Sequence, residues 1–290
     1  MLTNFILKNE NIELNIITHA QLVNPKAVLI HIHGIGSHFQ LTYDSMDYFK
    51  NRINILNPSI ISYAMELRGH GLSSGTRFSV NSFDDYISDL HILVKYIKFN
   101  HPDLPIFILG HSMGGSIGII YTIKYKDLIK GIILLAPMCS IDEELQLSWI
   151  KLKSMILLSY IVPSYTLVSL SSEKHYKNYY EEYSKAKQTC KLQNNDGLRL
   201  DISRECYNAI NWINENSNLF ITNVLAIHSS TDNITPSKDT ENFIASSSSI
   251  DKTIIIPVIG EHNLLAPMFE NDPKPKELLL TINQWIETRF

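Results

Sequence analysis

The chain has 290 residues, of which 44% are hydrophobic and 19% are charged, and its formal net charge is −4. This length accommodates one large α/β domain with an inserted subdomain, and the composition is that of an ordinary soluble globular protein. The slight negative charge, together with scattered lysines and arginines, excludes the basic surface that nucleic-acid binding requires.

The chain has three cysteines, Cys139, Cys190 and Cys206, which are too few and odd in number for a disulfide framework. The sequence contains no Cys-x-x-Cys pair, so it gives no indication of a structural zinc site. The opening residues lack a basic lead, and no apolar run reaches the ~20 residues that span a bilayer. We therefore expect reduced thiols in a cytoplasmic protein that touches membranes only peripherally.

Short apolar runs alternate with helical segments along most of the chain. We predict strands at 3–8, 12–18, 27–33, 59–65, 105–109, 131–136, 223–228 and 253–258, and helices at about 41–56, 83–99, 113–125, 236–247 and 275–289. This alternation is typical of a mostly parallel central sheet with helices on both faces. The pattern from 138 to 220 shows no clear strand, which predicts a mainly helical cap inserted between core segments 1–137 and 221–290.

The most specific motif is Gly110-His111-Ser112-Met113-Gly114, which lies between a predicted strand and a predicted helix. In this context Gly-x-Ser-x-Gly is typical of a nucleophile elbow, a strained turn that lifts the serine hydroxyl above the sheet. Both flanks must be small because side chains there would collide across the turn. The spacing therefore indicates Ser112 as a nucleophile, with a glycine-rich packing turn as the alternative.

A serine nucleophile needs a base and an acid, which follow it along the chain in the order acid then histidine. Of the later histidines, His262 lies in the loop after the predicted strand 253–258, whereas His175 falls in the cap and His228 within a strand. Asp232 follows the preceding strand and is the candidate acid. Asp239, inside a predicted helix, and Asp251, before a strand, are poorer candidates.

Two backbone amides should stabilise the oxyanion that forms during acyl transfer. The amide of Met113 follows the nucleophile, and the second donor is expected in the loop His33-Gly34-Ile35-Gly36, at Ile35. Gly34 and His111 are candidate substrate contacts. This chemistry needs no cofactor and no metal, and we interpret the pair His31 and His33 as packing residues since no acidic or cysteine partner accompanies them.

The motifs together resemble the monoglyceride lipase and lysophospholipase family of α/β hydrolases. The resemblance rests on HGIG at 33–36, ELRGHGLSSG at 66–75, PIFILGHSMGGSIGI at 105–119, LLAP at 134–137, STDNITP at 230–236 and HNLL at 262–265. It covers nearly the whole chain and is weakest over 138–220. The resemblance implies an α/β-hydrolase fold, the triad Ser112, Asp232 and His262, and oxyanion amides at Ile35 and Met113.

The chain departs from the family pattern around the glycerol end of the pocket. The family usually has Glu after His-Gly-x-Gly and often an Arg soon afterwards, where this chain has Ser37 and then Leu41 or Thr42. The family's Asp-Pro-Leu reads Asp196-Gly197-Leu198 here, and the polar aromatic before it aligns with Gln193. These departures weaken the assignment as a lipase more than the assignment as an esterase.

The predicted cap is unusually apolar between 145 and 170. Its apolar residues are Leu147, Trp149, Ile150, Leu152, Met155, Ile156, Leu157, Leu158, Tyr160, Ile161 and Val162. They exceed what one buried helix face holds, which favours a rim that accepts an acyl chain and rests transiently on a membrane or micelle surface. Packing of these residues onto the sheet is the alternative.

The sequence thus predicts a serine hydrolase that cleaves a small lipid ester, monoacylglycerol or lysophospholipid, through an acyl-enzyme. Two alternatives stay open. One is a thioesterase, peptidase or general esterase on the same scaffold. The other is a catalytically inactive member that binds lipid.

Overall fold

The computed structural model describes residues 2–19, 24–43, 46–56, 58–140, 149–168, 177–194, 197–256 and 260–290. Its strands are β1 (Thr3–Asn9), β2 (Ile12–Thr18), β3 (Ala27–Ile32), β4 (Thr42–Tyr43), β5 (Met46–Asp47), β6 (Ile60–Met65), β7 (Ile106–His111), β8 (Gly131–Leu135), β9 (Thr166–Val168), β10 (Leu198–Arg199), β11 (Asn223–Ile227) and β12 (Lys252–Ile255). Its α-helices are α1 (Tyr48–Ile55), α2 (Phe83–Asn100), α3 (Met113–Lys124), α4 (Trp149–Ile161), α5 (Glu181–Thr189), α6 (Leu200–Asn216), α7 (Ser237–Ser246) and α8 (Lys274–Glu287).

Eight strands form one central sheet in the order β1-β2-β6-β3-β7-β8-β11-β12. The six strands from β6 to β12 run parallel, and the opening hairpin β1–β2 adds an antiparallel edge. Successive residues of β3 point to opposite faces of the sheet, as a strand requires. Val28 and Ile30 pack into the core beneath α2 and α3, whereas Leu29 packs into the core beneath α8. The predicted α/β-hydrolase architecture is therefore confirmed.

The carboxyl ends of β7, β11 and β12 meet at one edge of this sheet, because β7, β8, β11 and β12 are parallel neighbours. Loops that follow such strands gather side chains from distant parts of the chain into one crevice. The turn after β7, the loop after β11 and the loop after β12 carry the three residues predicted as the triad.

The prediction of one helix over 41–56 is wrong in its first half. The short hairpin β4–β5 precedes α1, which begins only at Tyr48. Asp47 ends the hairpin and caps the helix, because its side chain accepts a hydrogen bond from the Lys50 amide at 2.8 Å. The predicted strand 253–258 ends at Ile255, and residues 257–259 lie outside the described residues.

Between 138 and 220 the described residues form α4, α5 and α6 together with the short antiparallel pair β9–β10, which the sequence pattern did not reveal. Leu147, His175, Asp196 and the side chain of Trp149 lie outside the described residues. No helix among the residues that the structure describes is long and apolar enough to cross a membrane. The cap boundaries at 138 and 220 stay a prediction.

Candidate active site

Ser112 occupies a strained turn between β7 and α3. Its backbone has φ 53° and ψ −120°, a left-handed conformation that a residue other than glycine rarely adopts. A Cβ on Gly110 would lie 2.5 Å from the Gly114 carbonyl oxygen, and a Cβ on Gly114 would lie 2.4 Å from the Ile32 carbonyl oxygen. Only glycine fits at both flanks, so the sequence motif and the backbone geometry have the same steric cause.

Asp232 and His262 lie side by side although 30 residues separate them. The His262 Nδ1 donates to Asp232 Oδ2 at 2.7 Å. Asp232 follows β11 and His262 follows β12, and the parallel pairing of these strands brings the two loops together. Because Nδ1 carries the proton, the Nε2 atom of the neutral ring is left as an acceptor, which is the tautomer that a general base needs.

Hydrogen-bond donors surround the Asp232 carboxylate. Oδ1 accepts from the amides of Ile234 at 2.8 Å and Thr235 at 3.2 Å. Besides His262, Oδ2 accepts from the Thr235 hydroxyl at 3.2 Å and from His228 Nε2 at 3.1 Å. Burial alone would raise the pKa of Asp232, but the His262 charge and these hydrogen bonds together lower that pKa well below its ordinary value. The carboxylate therefore stays ionised.

His228 is a part of this site that the sequence analysis missed. It is fully buried, its Nε2 donates to both Asp232 and the Thr235 carbonyl oxygen (2.7 Å), and its Nδ1 lies 2.8 Å from the Thr240 hydroxyl. A second imidazole thus holds the same carboxylate oxygen as His262. The signal in the sequence is the four-residue spacing from His228 to Asp232 at the end of a strand.

Ser112 and His262 are not directly hydrogen-bonded, although His111, the residue before Ser112, contacts His262. The structure has no hydrogen bond between Ser112 and the His262 ring among the described residues, and their link runs through His111. The His111 Nε2 donates to the His262 carbonyl oxygen at 3.1 Å, and the two rings are 4.9 Å apart. Burial, followed by the His262 charge, lowers the pKa of His111 to about 3, so this ring is neutral. A hydrogen bond between a serine nucleophile and its histidine base often forms or tightens only when substrate binds.

The loop after β3 passes close to Ser112. A Cβ on Gly34 would lie 3.1 Å from the Ser112 Cβ and 3.2 Å from His111 Nδ1. Within the described part of the chain, neither the Ile35 amide nor the Met113 amide donates a hydrogen bond to another residue. Both N–H groups are therefore free to bind an oxyanion next to Ser112. The substrate-contact roles of Gly34 and His111 stay predictions.

A second turn supports this loop from below. The Gly36 amide donates to His70 Nε2 at 3.1 Å, and His70 lies in the Arg68-Gly69-His70-Gly71 turn. Gly69 and Gly71 both have positive φ, and the Arg68 guanidinium binds the buried Asp89 carboxylate at 2.7 Å. The turn thus has a structural role, because it holds the loop after β3 in place.

The pair His31 and His33 binds protein groups. His31 Nε2 lies 3.2 Å from the Ser62 hydroxyl, and His33 Nε2 accepts from the Leu67 amide at 3.1 Å. No cluster of three or more metal-ligating side chains is found in the described ranges. His31 thus binds the side chain of Ser62, and His33 binds backbone groups of Leu67 and Gly34.

The order of strands in the sheet is that of the α/β-hydrolase class of enzymes, and Ser112, Asp232 and His262 lie at its carboxyl edge. The chain matches the hydrolase family described as serine aminopeptidase S33 over residues 23–272, and it belongs to this family. Mouse monoglyceride lipase is 28% identical over 268 residues, which cover 92% of this chain and 84% of that protein. A monkeypox virus monoglyceride lipase homolog is 26% identical and covers 91% of both chains.

Solved structures share the fold at lower sequence identity. The monoacylglycerol lipase of Paleococcus ferrophilus superposes with a TM-score of 0.77 at 19% identity, covering 96% of this chain and all of that one. A soluble variant of the Saccharomyces cerevisiae monoglyceride lipase, in complex with a substrate analog, gives 0.78 at 17% identity, covering 100% of this chain and 95% of that one. These similarities establish the α/β-hydrolase fold along essentially the whole chain.

Proposed function

We propose that this hydrolase cleaves carboxylic esters of lipids, with Ser112 as nucleophile, His262 as general base and Asp232 as the acid that orients the base. The observation that carries the proposal is the 2.7 Å bond from His262 to Asp232, formed beside the left-handed Ser112 turn. A strained serine and an oriented imidazole at one sheet edge are the parts that acyl transfer requires.

The reaction proceeds through an acyl-enzyme. Ser112 Oγ attacks the ester carbonyl while His262 Nε2 takes its proton, and the amides of Ile35 and Met113 bind the oxyanion. The tetrahedral intermediate collapses, and the alcohol leaves with that proton. Water then gives a proton to His262 and attacks the acyl-enzyme. The second tetrahedral intermediate collapses, Ser112 Oγ leaves with the proton from His262, and the carboxylic acid is released. Each oxyanion amide contributes about 3 kcal/mol to the lowering of the barrier.

The proposed substrates are monoacylglycerol and lysophospholipid. Relatives from mouse and monkeypox virus that align over nine-tenths of this chain carry the name monoglyceride lipase or its homolog, which supports a single-chain lipid ester. The competing hypotheses are a thioesterase, peptidase or general esterase on the same scaffold, and an inactive lipid-binding member.

A labelling experiment and a substrate panel test this proposal. We expect a fluorophosphonate probe to modify Ser112, and we expect kcat/KM to be highest for monoacylglycerol or lysophospholipid among matched oxygen esters, thioesters and aminoacyl amides. Absence of both labelling and turnover would support the inactive member. A preference for thioesters, amides or short polar esters would identify the corresponding alternative.

We also propose that α4 lies on a lipid surface. One face of this helix packs on the rest of the protein through Met155 and the buried Ser159. The opposite face is exposed at Ile150 (70%), Leu157 (64%) and Ile161 (67%), which recur at helical spacing. An apolar stripe of this size supports the docking of the cap on a membrane or micelle.

Replacing Leu157 and Ile161 together with serine should therefore weaken binding to lipid vesicles by about 10²- to 10⁴-fold, since burying each side chain in lipid is worth roughly 1.5–3 kcal/mol. Co-sedimentation with phosphatidylcholine vesicles measures this binding. Ile250→Ser, which changes an isolated residue that is 98% exposed, is the matched control and should bind like the unmodified protein. Equal binding of the double variant and the control would contradict the surface role of α4.

A cytoplasmic location is the remaining part of the proposal. Cys139, Cys190 and Cys206 are all free, and Cys139 and Cys206 are buried. Buried free thiols are typical of a reducing compartment.

A further inference from the structure

The peptide bond that follows His262 is held at both of its polar atoms. Its carbonyl oxygen accepts a hydrogen bond from His111 Nε2 at 3.1 Å, and its N–H, the Asn263 amide, donates to the Tyr179 hydroxyl at 2.9 Å. His111 ends β7, whereas Tyr179 lies in the predicted cap, two residues before α5 begins. Because a peptide unit is planar, contacts at both atoms fix its orientation.

Packing sets the position of the Tyr179 ring. The residue is buried, and its ring lies in an apolar cluster with Leu41, Tyr183 and Ala266. Burial raises the pKa of Tyr179 above its ordinary value, so the hydroxyl is neutral, and its oxygen has the lone pairs that accept from an amide. A ring held by its neighbours thus presents this oxygen to the Asn263 amide.

Two further hydrogen bonds dock the same part of the predicted cap on the loop that carries the general base. The Tyr180 amide donates to the Pro267 carbonyl oxygen at 2.9 Å, and the Asn178 side chain donates to the Glu261 side-chain oxygen at 2.8 Å. These contacts lie on either side of the general base along the chain. Of the three contacts, that of Tyr179 is the one made to the peptide unit of the base itself.

The orientation of this peptide unit affects the position of the His262 ring. The bond of 2.7 Å from Nδ1 to Asp232 holds one edge of the ring, but the ring also moves with the backbone that carries it. A displacement of about 1 Å at a catalytic group lowers the rate by about 10²-fold. A backbone contact next to His262 therefore influences the distance across which the Ser112 proton is transferred.

We propose that Tyr179 is a positioning residue for His262, acting through the hydrogen bond between its hydroxyl and the Asn263 amide. The inference rests on the proposed function, since it concerns the base of that reaction. The predicted cap then has a second role besides forming the surface above the site, because it holds the general base in place. Loss of this hydrogen bond slows the chemical step and leaves substrate binding intact.

Tyr179→Phe tests this role, because it removes the hydroxyl and keeps the ring in its cluster. We expect kcat for butanoylglycerol, an ester that stays monomeric in solution, to fall by about 10- to 100-fold while KM changes by less than about twofold. The rate of labelling by diisopropyl fluorophosphate should fall by the same factor. This small reagent depends on Ser112 and its base and on little else of the substrate pocket.

Tyr183→Phe is the matched control. The Tyr183 hydroxyl accepts from the Asn263 side chain at 2.8 Å, so the control removes another buried hydroxyl that contacts the same residue but not its amide. We expect kcat and the labelling rate of the control to stay within about threefold of the unmodified protein. Thermal unfolding of both variants measures the stability that each hydroxyl contributes, so that rates are compared on folded protein.

The separation of kcat from KM distinguishes positioning of the base from two structural roles. If Tyr179 only shaped the substrate pocket, Tyr179→Phe would raise KM and leave kcat and the labelling rate unchanged. If its hydroxyl only stabilised the predicted cap, Tyr179→Phe and Tyr183→Phe would lower kcat by the same factor. Either result, or a folded Tyr179→Phe variant with unchanged kcat, would overturn the proposal.

A measurement on the unmodified protein replaces the variant if Tyr179→Phe does not fold. The Asn263 amide should exchange its hydrogen with solvent at least about 100-fold more slowly than an unstructured peptide, as NMR measures. Exchange at the rate of an unstructured peptide would refute the role of Tyr179 and leave the ester hydrolase intact. Absence of both ester turnover and fluorophosphate labelling in the unmodified protein would instead refute the proposed function.

Discussion

Replacing Ser112 with alanine should abolish ester hydrolysis, lowering kcat on the order of 10⁶-fold. The hydroxyl of Ser112 is the oxygen that the elbow presents beside the free amides of Ile35 and Met113, and alanine offers no nucleophile there. The oxyanion amides and the substrate pocket would remain, so a small residual rate over the uncatalysed reaction should persist. Steady-state kinetics and loss of fluorophosphonate labelling measure the effect.

The fold should tolerate this substitution. The Ser112 side chain makes no capping hydrogen bond at the start of α3, and alanine experiences the same left-handed backbone strain as serine. Ser116→Ala is the matched control, because Ser116 is a buried serine one turn later whose hydroxyl donates to the Met138 carbonyl oxygen at 2.7 Å. The control should lose about 1–3 kcal/mol of stability and keep its activity. Retention of turnover by Ser112→Ala would contradict the role of Ser112.

The strained turn at Ser112 could be predicted from the sequence because its constraints are local. The elbow needs glycine at 110 and 114, since each lies against backbone atoms at a separation that excludes a Cβ. The proximity of Asp232 and His262 could be predicted for a different reason. Parallel strands bring their following loops to one edge, so chain order alone places these loops together.

The structure of the region after β3 was harder to predict, because its apolar spacing favours a helix whereas part of the chain forms a hairpin. Apolar residues between 41 and 56 recur at helical spacing, whereas the chain turns back on itself in the hairpin β4–β5 before α1 begins. The sequence feature that indicates the start of α1 is Asp47, a residue type that commonly caps helices and here accepts a hydrogen bond from the Lys50 amide. The strands β9 and β10 have three and two residues, which is too short for any periodicity to show.

The burial of Lys187 depends on a contact between segments distant in the sequence, whereas the contact of His228 with Asp232 depends on the path of the short turn between them. A histidine at the end of a buried strand reads as a core residue, and only the turn from 229 to 231 brings Asp232 back onto it. Lys187 belongs to a polar helix, and its burial results from docking of α5 against the loop that carries Ser37. Sequence patterns predict elements and the loops between parallel strands, but they do not predict which polar side chains tertiary packing buries.

The donors around Asp232 make its replacement by asparagine the most informative test of the site. Five donor groups converge on the carboxylate, namely the side chains of His228, Thr235 and His262 and the amides of Ile234 and Thr235. Asparagine brings an NH₂ group and only one oxygen. Facing the imidazoles, the NH₂ forces the His262 proton from Nδ1 to Nε2. If the NH₂ group instead faces the amides of Ile234 and Thr235, donors face donors and these N–H groups lose their acceptor.

Asp232→Asn should therefore lower kcat by about 10⁴-fold, because a His262 ring protonated on Nε2 cannot accept the Ser112 proton. Asp239→Asn is the control, since it removes the same charge in the nearby α7, outside the contact with His262, and should keep activity within a few-fold. Kinetics on one ester, with circular dichroism to verify folding, make the comparison. If the folded Asp232→Asn variant stays within tenfold of the unmodified enzyme while Asp239→Asn does not, the acid has been assigned to the wrong residue. The donor count at Asp232 favours the opposite outcome, because a carboxylate that accepts five hydrogen bonds has no neutral replacement of the same shape.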